Sequence, residues 1–596
     1  MYKKSYKLRN FLAFCALFCL SFGGIWAQED TLLTDLDFSK TPYAWLSVLS
    51  GSAVCRPIKA PYGWLDLTEG KMASAFTESG TVLWQQSLPA QATPLASCGQ
   101  DGFALAVLKG KRLCLLNPSG LCLWQKALDF EPKFCPLVGR DGRFFVFGKD
   151  AAACFGINGA QKWKQKFEAL NTELEPRQLD DGSLLLFLEE AQGSKTVGLR
   201  ISPFGETLEK IIFAGRVTGA GQSQSGLLLS FADGSLGLCC VEQNEAKSKW
   251  VIKDLGLGQK VRFLQLDGQR LAAVWNAAGG AKVAVVNAKK AAAERVFAAS
   301  KITDCVYAEA APEGIFLAAA DFGELYSLDG KRIRGAAFAP KTKKLNWDYA
   351  LYAKGGTVIF TSKNWSLVGW RLLKASQAQK APAPSSAIKR ANYKDFYKDC
   401  PNDYKQILAG ASEARKAALQ KGNYAAAEKE FLYASQAILD GYFEKSMKQK
   451  SVGGSIGALS DDELYGFSLS QESAAIGMLG LFGSSEAAKN LARVLAAKGD
   501  ESVLTQALKA VQDCGYDPDG AVMDSIEALA KAALPSQETL LKELCAALYS
   551  VCRFMGRPAI NKKGLKILAA LQFPQYPNST KEEARKVYEK LARLQL

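Results

Sequence analysis

Short apolar runs separated by glycine turns fill the first two thirds of this chain, and their order repeats. One unit shows the scheme. ATPLASCGQDG (92–102) is an apolar run and a turn, and FALAVLKG (103–110) is apolar throughout, as a strand buried on both faces is. KRLCLLNPSG (111–120) closes on a Pro and Gly turn, and LCLWQKAL (121–128) ends with apolar and polar positions alternating. Runs of this length between such turns predict strands. The spelling recurs at a fixed distance. Gly80 and Trp84, Gly120 and Trp124, and Gly159 and Trp163 keep one spacing, with steps of 40 and 39 residues between tryptophans. Asp101-Gly102, Asp141-Gly142 and Asp181-Gly182 keep the same beat. A period near 40 residues with four strands per period predicts the blades of a β-propeller.

The same phrasing continues less faithfully to residue 372, with Leu208 where a tryptophan stood. Seven complete blades are expected from 51 to about 339. Residues 345–372 supply three strands and lack a fourth. The segment 35–49 is the candidate for it, because a propeller whose first strand completes its last blade leaves no frayed edge. The count is therefore eight, with seven as the fallback if the strands around Val54 to Ala75 form no full sheet.

Beyond residue 390 the period becomes helical. Residues 373–390, rich in Ala, Pro, Ser and Lys, are expected to be a flexible linker. Gly422, Tyr424 and Ala427 look like part of one tetratricopeptide-type (TPR) hairpin, and 451–460 is expected to be a loop or hinge. From Asp461 onward, helices of 12 to 16 residues alternate with short breaks and carry Ala and Leu at i, i+3, i+4 and i+7. Glu463 and Glu486 fall near expected helix starts, where the dipole favours an acid. The array resembles HEAT-type helical repeats, which present long surfaces to other proteins. The expected architecture is thus multidomain β + α: a propeller at 28–372, a linker at 373–390 and an α-helical repeat domain at 391–596.

The hairpin phrase G-x-x-x-W, as in NPSGLCLWQKAL and GINGAQKWKQKF, resembles the repeat of pyrroloquinoline-quinone (PQQ)-type propellers. The resemblance covers residues 51–372 and is clearest in three blades. It implies a family that holds quinone-dependent alcohol and sugar dehydrogenases. It also holds non-catalytic members, among them the periplasmic propeller of the outer-membrane-protein assembly machinery. Cys239-Cys240 brings to mind the vicinal disulfide found near the cofactor in some of those dehydrogenases. The pair lies in SLGLCCVEQ, a predicted third strand whose neighbouring side chains face opposite ways, and packing is the reading adopted.

Composition narrows the chemistry. The 596 residues contain no histidine, which removes Ser-His-Asp triads, Cys-His dyads and His-bearing zinc sites. The formal net charge of +15 is spread along the chain, without the basic stripe and interleaved aromatics that nucleic acid would want. A mild attraction to a membrane surface is the most it suggests. Lys3, Lys4, Lys7 and Arg9 precede the apolar run 11–22, and Ala27 is a small residue fit for cleavage. This predicts a signal peptide over 1–27 and a periplasmic mature chain, with no transmembrane anchor. Two of the 15 cysteines lie in that leader, the other 13 are an odd number, and no C-x-x-C occurs. Cys114 and Cys545 sit in apolar runs and read as small buried hydrophobes.

Asp101, Asp141 and Asp181 are taken as hairpin turn residues, not calcium ligands, since each stands in a different blade. Gly453-Gly454 and Gly279-Gly280 lack the lysine of a phosphate loop, and Asp461-Asp462-Glu463 is a solvated helix start. Trp84, Trp124 and Trp163 are taken as packing residues. No catalytic, cofactor-binding or metal-binding residue is named. The expected function is a non-catalytic interaction or scaffold protein of the bacterial cell envelope, binding protein partners through propeller loops and helical repeats. The alternatives are a quinone-dependent dehydrogenase with degenerate motifs and a polysaccharide-binding propeller.

Overall fold

Among the described residues, thirty-two strands form eight four-stranded antiparallel sheets, each a blade. The computed structural model describes residues 43–373, apart from 140, 190–194, 224–225, 243–244, 320–321, 338–346, 354–355 and 363–364. It also describes 393–594, apart from 412, 414–427, 452–468 and 498–499. The expected leader, the linker from 374 onward, the TPR-like phrase, the hinge from 452 and the acidic run 461–463 lie outside the described residues.

Blades 1 to 7 span residues 58–87, 92–127, 137–166, 177–212, 217–252, 262–299 and 307–337. Blade 8 takes three strands from 347–371 and its outermost from Tyr43–Val48, in the order that closes the ring with the N-terminal strand. The first strands of neighbouring blades lie side by side between blades 1 and 2, 2 and 3, 5 and 6, 6 and 7, and 7 and 8.

The period of 40 has a physical cause that crosses from blade to blade. The Trp124 ring of blade 2 lies on Gly159 of blade 3. Gly159 takes φ +77, and a Cβ there would stand 2.7 Å from Trp124 Cγ. Trp124 Nε1 donates to the Ile157 carbonyl at 2.9 Å in the same turn. Trp84 covers Gly120 and donates to Pro118 O, and Trp163 covers Gly205 and donates to Pro203 O. Each glycine thus pairs with the tryptophan of the preceding blade, and only a residue without a side chain fits beneath the ring. Two members of the series were hidden in the sequence. Trp45 of the closing strand covers Gly80, and Phe297 covers Gly330.

The described part of the tail contains nine α-helices, from α1 (Tyr404–Ala409) and α2 (Glu428–Ser451) onward. Then follow α3 (Leu469–Phe482), α4 (Ser485–Ala496), α5 (Glu501–Cys514), α6 (Ala521–Ala532), α7 (Glu538–Met555), α8 (Pro558–Ala570) and α9 (Asn578–Leu594). They make two rows: α2, α3, α5, α7 and α9 pack in succession, with α4, α6 and α8 beside them. Local sequence sets the breaks. The Ser484 hydroxyl accepts from Ala487 N to start α4, while left-handed Gly515 and Gly556 end α5 and α7. None of the described helices is long and apolar enough to cross a membrane.

The described residues from Ala44 onward fold as one unit. A single apolar core runs from Phe103, Leu115, Phe144 and Phe155 of the propeller into Leu432, Leu479, Leu508 and Leu548 of the helices. The helical array is therefore docked on the propeller.

Candidate functional site

The helical array meets the propeller end-on, through the turns inside its helix pairs. Turn 482–485 seats on blade 3. Ser485 N donates to Asp141 O at 3.1 Å, and Asn158 Nδ2 donates to Leu481 O at 3.0 Å. Turn 515–520 reaches blade 2, where the Tyr516 hydroxyl donates to Asp101 Oδ2 at 2.7 Å and its ring meets Phe103 edge-on. Turn 553–557 also takes blade 2. Asn117 Nδ2 donates to Arg553 O at 2.8 Å, and Arg557 Nη2 donates to Asp101 O at 3.2 Å. Successive helical pairs thus rest on turns presented by neighbouring blades.

At the centre lies a dry cluster of opposite charges. Arg143 stands on the second strand of blade 3 and Lys162 on its fourth, both fully buried. Glu428, at the start of α2, receives both: Arg143 Nη1 at 3.0 Å and Lys162 Nζ at 2.5 Å. Arg143 Nε also donates to Asp141 Oδ2 at 2.8 Å and to the Tyr393 hydroxyl at 3.1 Å. Lys162 Nζ also donates to Phe482 O at 2.7 Å. The Phe204 and Tyr393 rings flank the guanidinium, each about 5.1 Å away.

Burial opposes every charge here, and the partners decide the outcome. For Glu428 the two cations outweigh desolvation and hold its carboxyl below the usual range. For Arg143 the Glu428 and Asp141 carboxylates outweigh it, and the guanidinium is held above its ordinary value. For Lys162 desolvation wins, and its ammonium is pulled down. Nearby Glu486, in the first turn of α4, is pushed up chiefly by burial. A charge cluster without water is held by geometry, and loss of one member leaves the others uncompensated.

The central channel carries a second set of charges, from the inner strands. Lys59 of blade 1 reaches past blade 8 to Glu309 of blade 7 at 2.5 Å. Arg56 donates to Val306 O at 3.2 Å and lies over the Tyr307 ring, while Arg262 donates to the same carbonyl at 3.3 Å. On blade 4, Arg177 pairs with Glu175 at 3.1 Å and donates to Ala220 O at 3.0 Å. These bonds tie the inner strand of one blade to that of another: blade 1 to 7, 6 to 7, and 4 to 5. Among the described residues, no group of three or more acidic or cysteine side chains converges as a metal site would require.

No family model matches the chain, and no curated protein does. Among solved structures, the chain is similar to BamB from Moraxella catarrhalis at 14% identity and a TM-score of 0.43, covering 55% of this chain and 99% of that one. It is similar to Saccharomyces cerevisiae Sqt1 at 10% identity and a TM-score of 0.41, covering 56% and 100%. The Neurospora crassa Pan2 WD40 domain follows at 10% identity and 0.31, covering 58% and 93%. The eight-bladed propeller rests on its own strand order.

Residues singled out in the sequence fall in three groups. Gly102, Gly142 and Gly182 take φ between +82 and +89, as turn residues do, but the aspartates before them do more than turn. Asp101 and Asp141 are docking residues, whereas Asp181 stays within blade 4 and holds Ser183 and Arg200. Cys239 is buried and Cys240 half-buried on a third strand. Cys114 is buried as expected, yet its sulfur touches that of Cys122. Arg143, Lys162, Glu428, Tyr516 and Arg557 were not singled out. A signal did exist for two of them. After the Asp-Gly pair stand Phe103, Arg143 and Ser183, and before the tryptophan stand Leu83, Leu123 and Lys162. Blade 3 breaks the repeat with a charge at both places, and both charges face the helices.

Proposed function

We propose that this chain is a non-catalytic interaction protein of the bacterial cell envelope, exported by its N-terminal segment and acting as a rigid scaffold. The observation that carries the reading is the docked array: a buried charge cluster and an apolar core join the helices to blades 2 to 4. A partner that bridges disc and array would meet them at a fixed distance and angle. This favours shape-specific recognition, because neither surface has to be ordered on binding. The basic leader followed by an apolar run and Ala27 supports export, and the G-x-x-x-W phrase supports a PQQ-type propeller lineage.

The test is site-specific photocrosslinking in the native cell. A photoreactive residue is placed at exposed Leu534 or Phe573, in loops that follow α6 and α8, or at Lys59 beside the channel. Discrete adducts with envelope proteins, on a chain whose mature start is near Gln28, are expected. Calcium-dependent binding of pyrroloquinoline quinone with alcohol or sugar oxidation would overturn the reading.

A further inference from the structure

Cys114 and Cys122 lie on the third and fourth strands of blade 2, either side of the Asn117–Gly120 turn. Their sulfurs are 3.3 Å apart. The register explains the approach. Cys122 stands opposite Leu116, and a bulge between Leu115 and Leu116 brings the diagonal neighbour Cys114 close on the same face. A disulfide bond is about 2.0 Å long, so the sulfurs need to close by a little over 1 Å. Cys114 is fully buried and Cys122 only half-buried, so Cys122 is the more exposed of the two. A hydrogen bond from the Cys114 thiol holds the Cys122 thiol below its ordinary value, which favours thiolate at the more exposed position. The turn they flank is the one whose Asn117 donates to Arg553 O at the end of α7.

We propose that Cys114 and Cys122 are a redox-active dithiol that closes to a disulfide across this hairpin, taking a glutathione-class disulfide as oxidant. The Cys122 thiolate attacks one sulfur of the oxidant, the oxidant's S–S bond breaks, and one glutathione leaves. Cys114 gives its proton to solvent and attacks the Cys122 sulfur, and the second glutathione leaves. Two electrons pass from the two thiols to the oxidant, and the two thiol protons end on two glutathiones. The bond stiffens the turn that seats α7, so the redox state of the surroundings is transmitted to the docking of the helical array.

The experiment equilibrates the purified full chain in glutathione buffers of stepped potential, followed by acid quench, alkylation and peptide mass analysis. The expected result is a peptide linking Cys114 to Cys122, with two thiols lost together per chain. In C114S, Cys122 is expected to stop at the mixed disulfide with glutathione. C239S is expected to leave the midpoint unchanged. Oxidation is expected to slow amide exchange at 553–557. The proposal is overturned if both thiols of the folded wild-type chain are alkylated at every potential, or if Cys122 stops at the mixed disulfide in the wild type as well. These outcomes are independent of where the protein resides, so they test the dithiol apart from the envelope reading.

Discussion

Replacing Glu428 by alanine is the sharpest test of the docked arrangement. The carboxylate serves two cations at once, at 3.0 Å from Arg143 and 2.5 Å from Lys162, and neither cation reaches water. After the change Arg143 keeps Asp141 and the Tyr393 hydroxyl, whereas Lys162 keeps the Phe482 carbonyl but loses the carboxylate that balances its charge. Removing one partner of a buried charge cluster costs about 3–5 kcal/mol. At 1.4 kcal/mol per decade, the undocked population rises roughly 100- to 1,000-fold or more. Hydrogen exchange at the start of α2 and in the strands of Arg143 and Lys162 reads this directly, and urea unfolding gives the free energy.

Two controls sharpen the result. K162M in the E428A background removes the cation that lost the Glu428 carboxylate and leaves Arg143 balanced by Asp141, so more than half of the deficit should return. The pH dependence has a fixed sign. The folded-state value of Lys162 is depressed, so the unfolded chain holds more protons between that value and about 10.4, and stability rises with pH across this window. The Glu428 carboxylate works against that depression, so without it the Lys162 value falls further, E428A gains more across the window than wild type, and its deficit should shrink towards pH 10. An E428A variant within 1 kcal/mol of wild type, with unchanged exchange, would refute the claim that these charges fasten the array.

Three further outcomes follow from particular contacts. D66N should raise the melting temperature at pH 8 and lose the gain near pH 4. Asp66 is fully buried with neither carboxyl oxygen bonded, and burial pushes its carboxyl well above the usual range. Its penalty therefore grows as pH rises from about 4, where the unfolded chain ionises, and Asn has none. G159A should cost more than about 2 kcal/mol in urea unfolding, since it strains a left-handed turn and displaces the Trp124 ring. Y516F should cost about 1.5–3 kcal/mol by leaving the buried Asp101 carboxylate without its hydroxyl donor, with faster exchange in turn 515–520.

The blades were legible because their information is local. A positive-φ glycine, a turn aspartate and a tryptophan fall within one period, and each recurs. The closing strand was legible as an absence, since the eighth blade lacked a strand that the N-terminal segment could supply. The docking was not legible, because its partners lie far apart in the chain. Glu428 stands 285 residues from Arg143 and 266 from Lys162. No periodicity reports on such pairs, and a lone arginine in an apolar strand is conspicuous only when the repeats are aligned with one another. Phe297 and Trp45 escaped notice for the opposite reason: each does the work of a repeat tryptophan outside its spelling or outside the counted units.

The closing strand Tyr43–Val48 pairs with Ser366–Arg371, the last strand of the propeller to be synthesised. At about 5–20 residues per second, the ribosome needs roughly 15–65 s to supply the partner. For that interval the nascent chain carries an unmatched β edge and an indole, Trp45, that cannot yet be held by the ring it will complete. Seven blades can condense as they emerge, one on the next, but the circle is sealed only once. Of the described strands, the first made is thus the last to find its place, and a chaperone or secretion factor that shields it has a defined epitope and a defined waiting time.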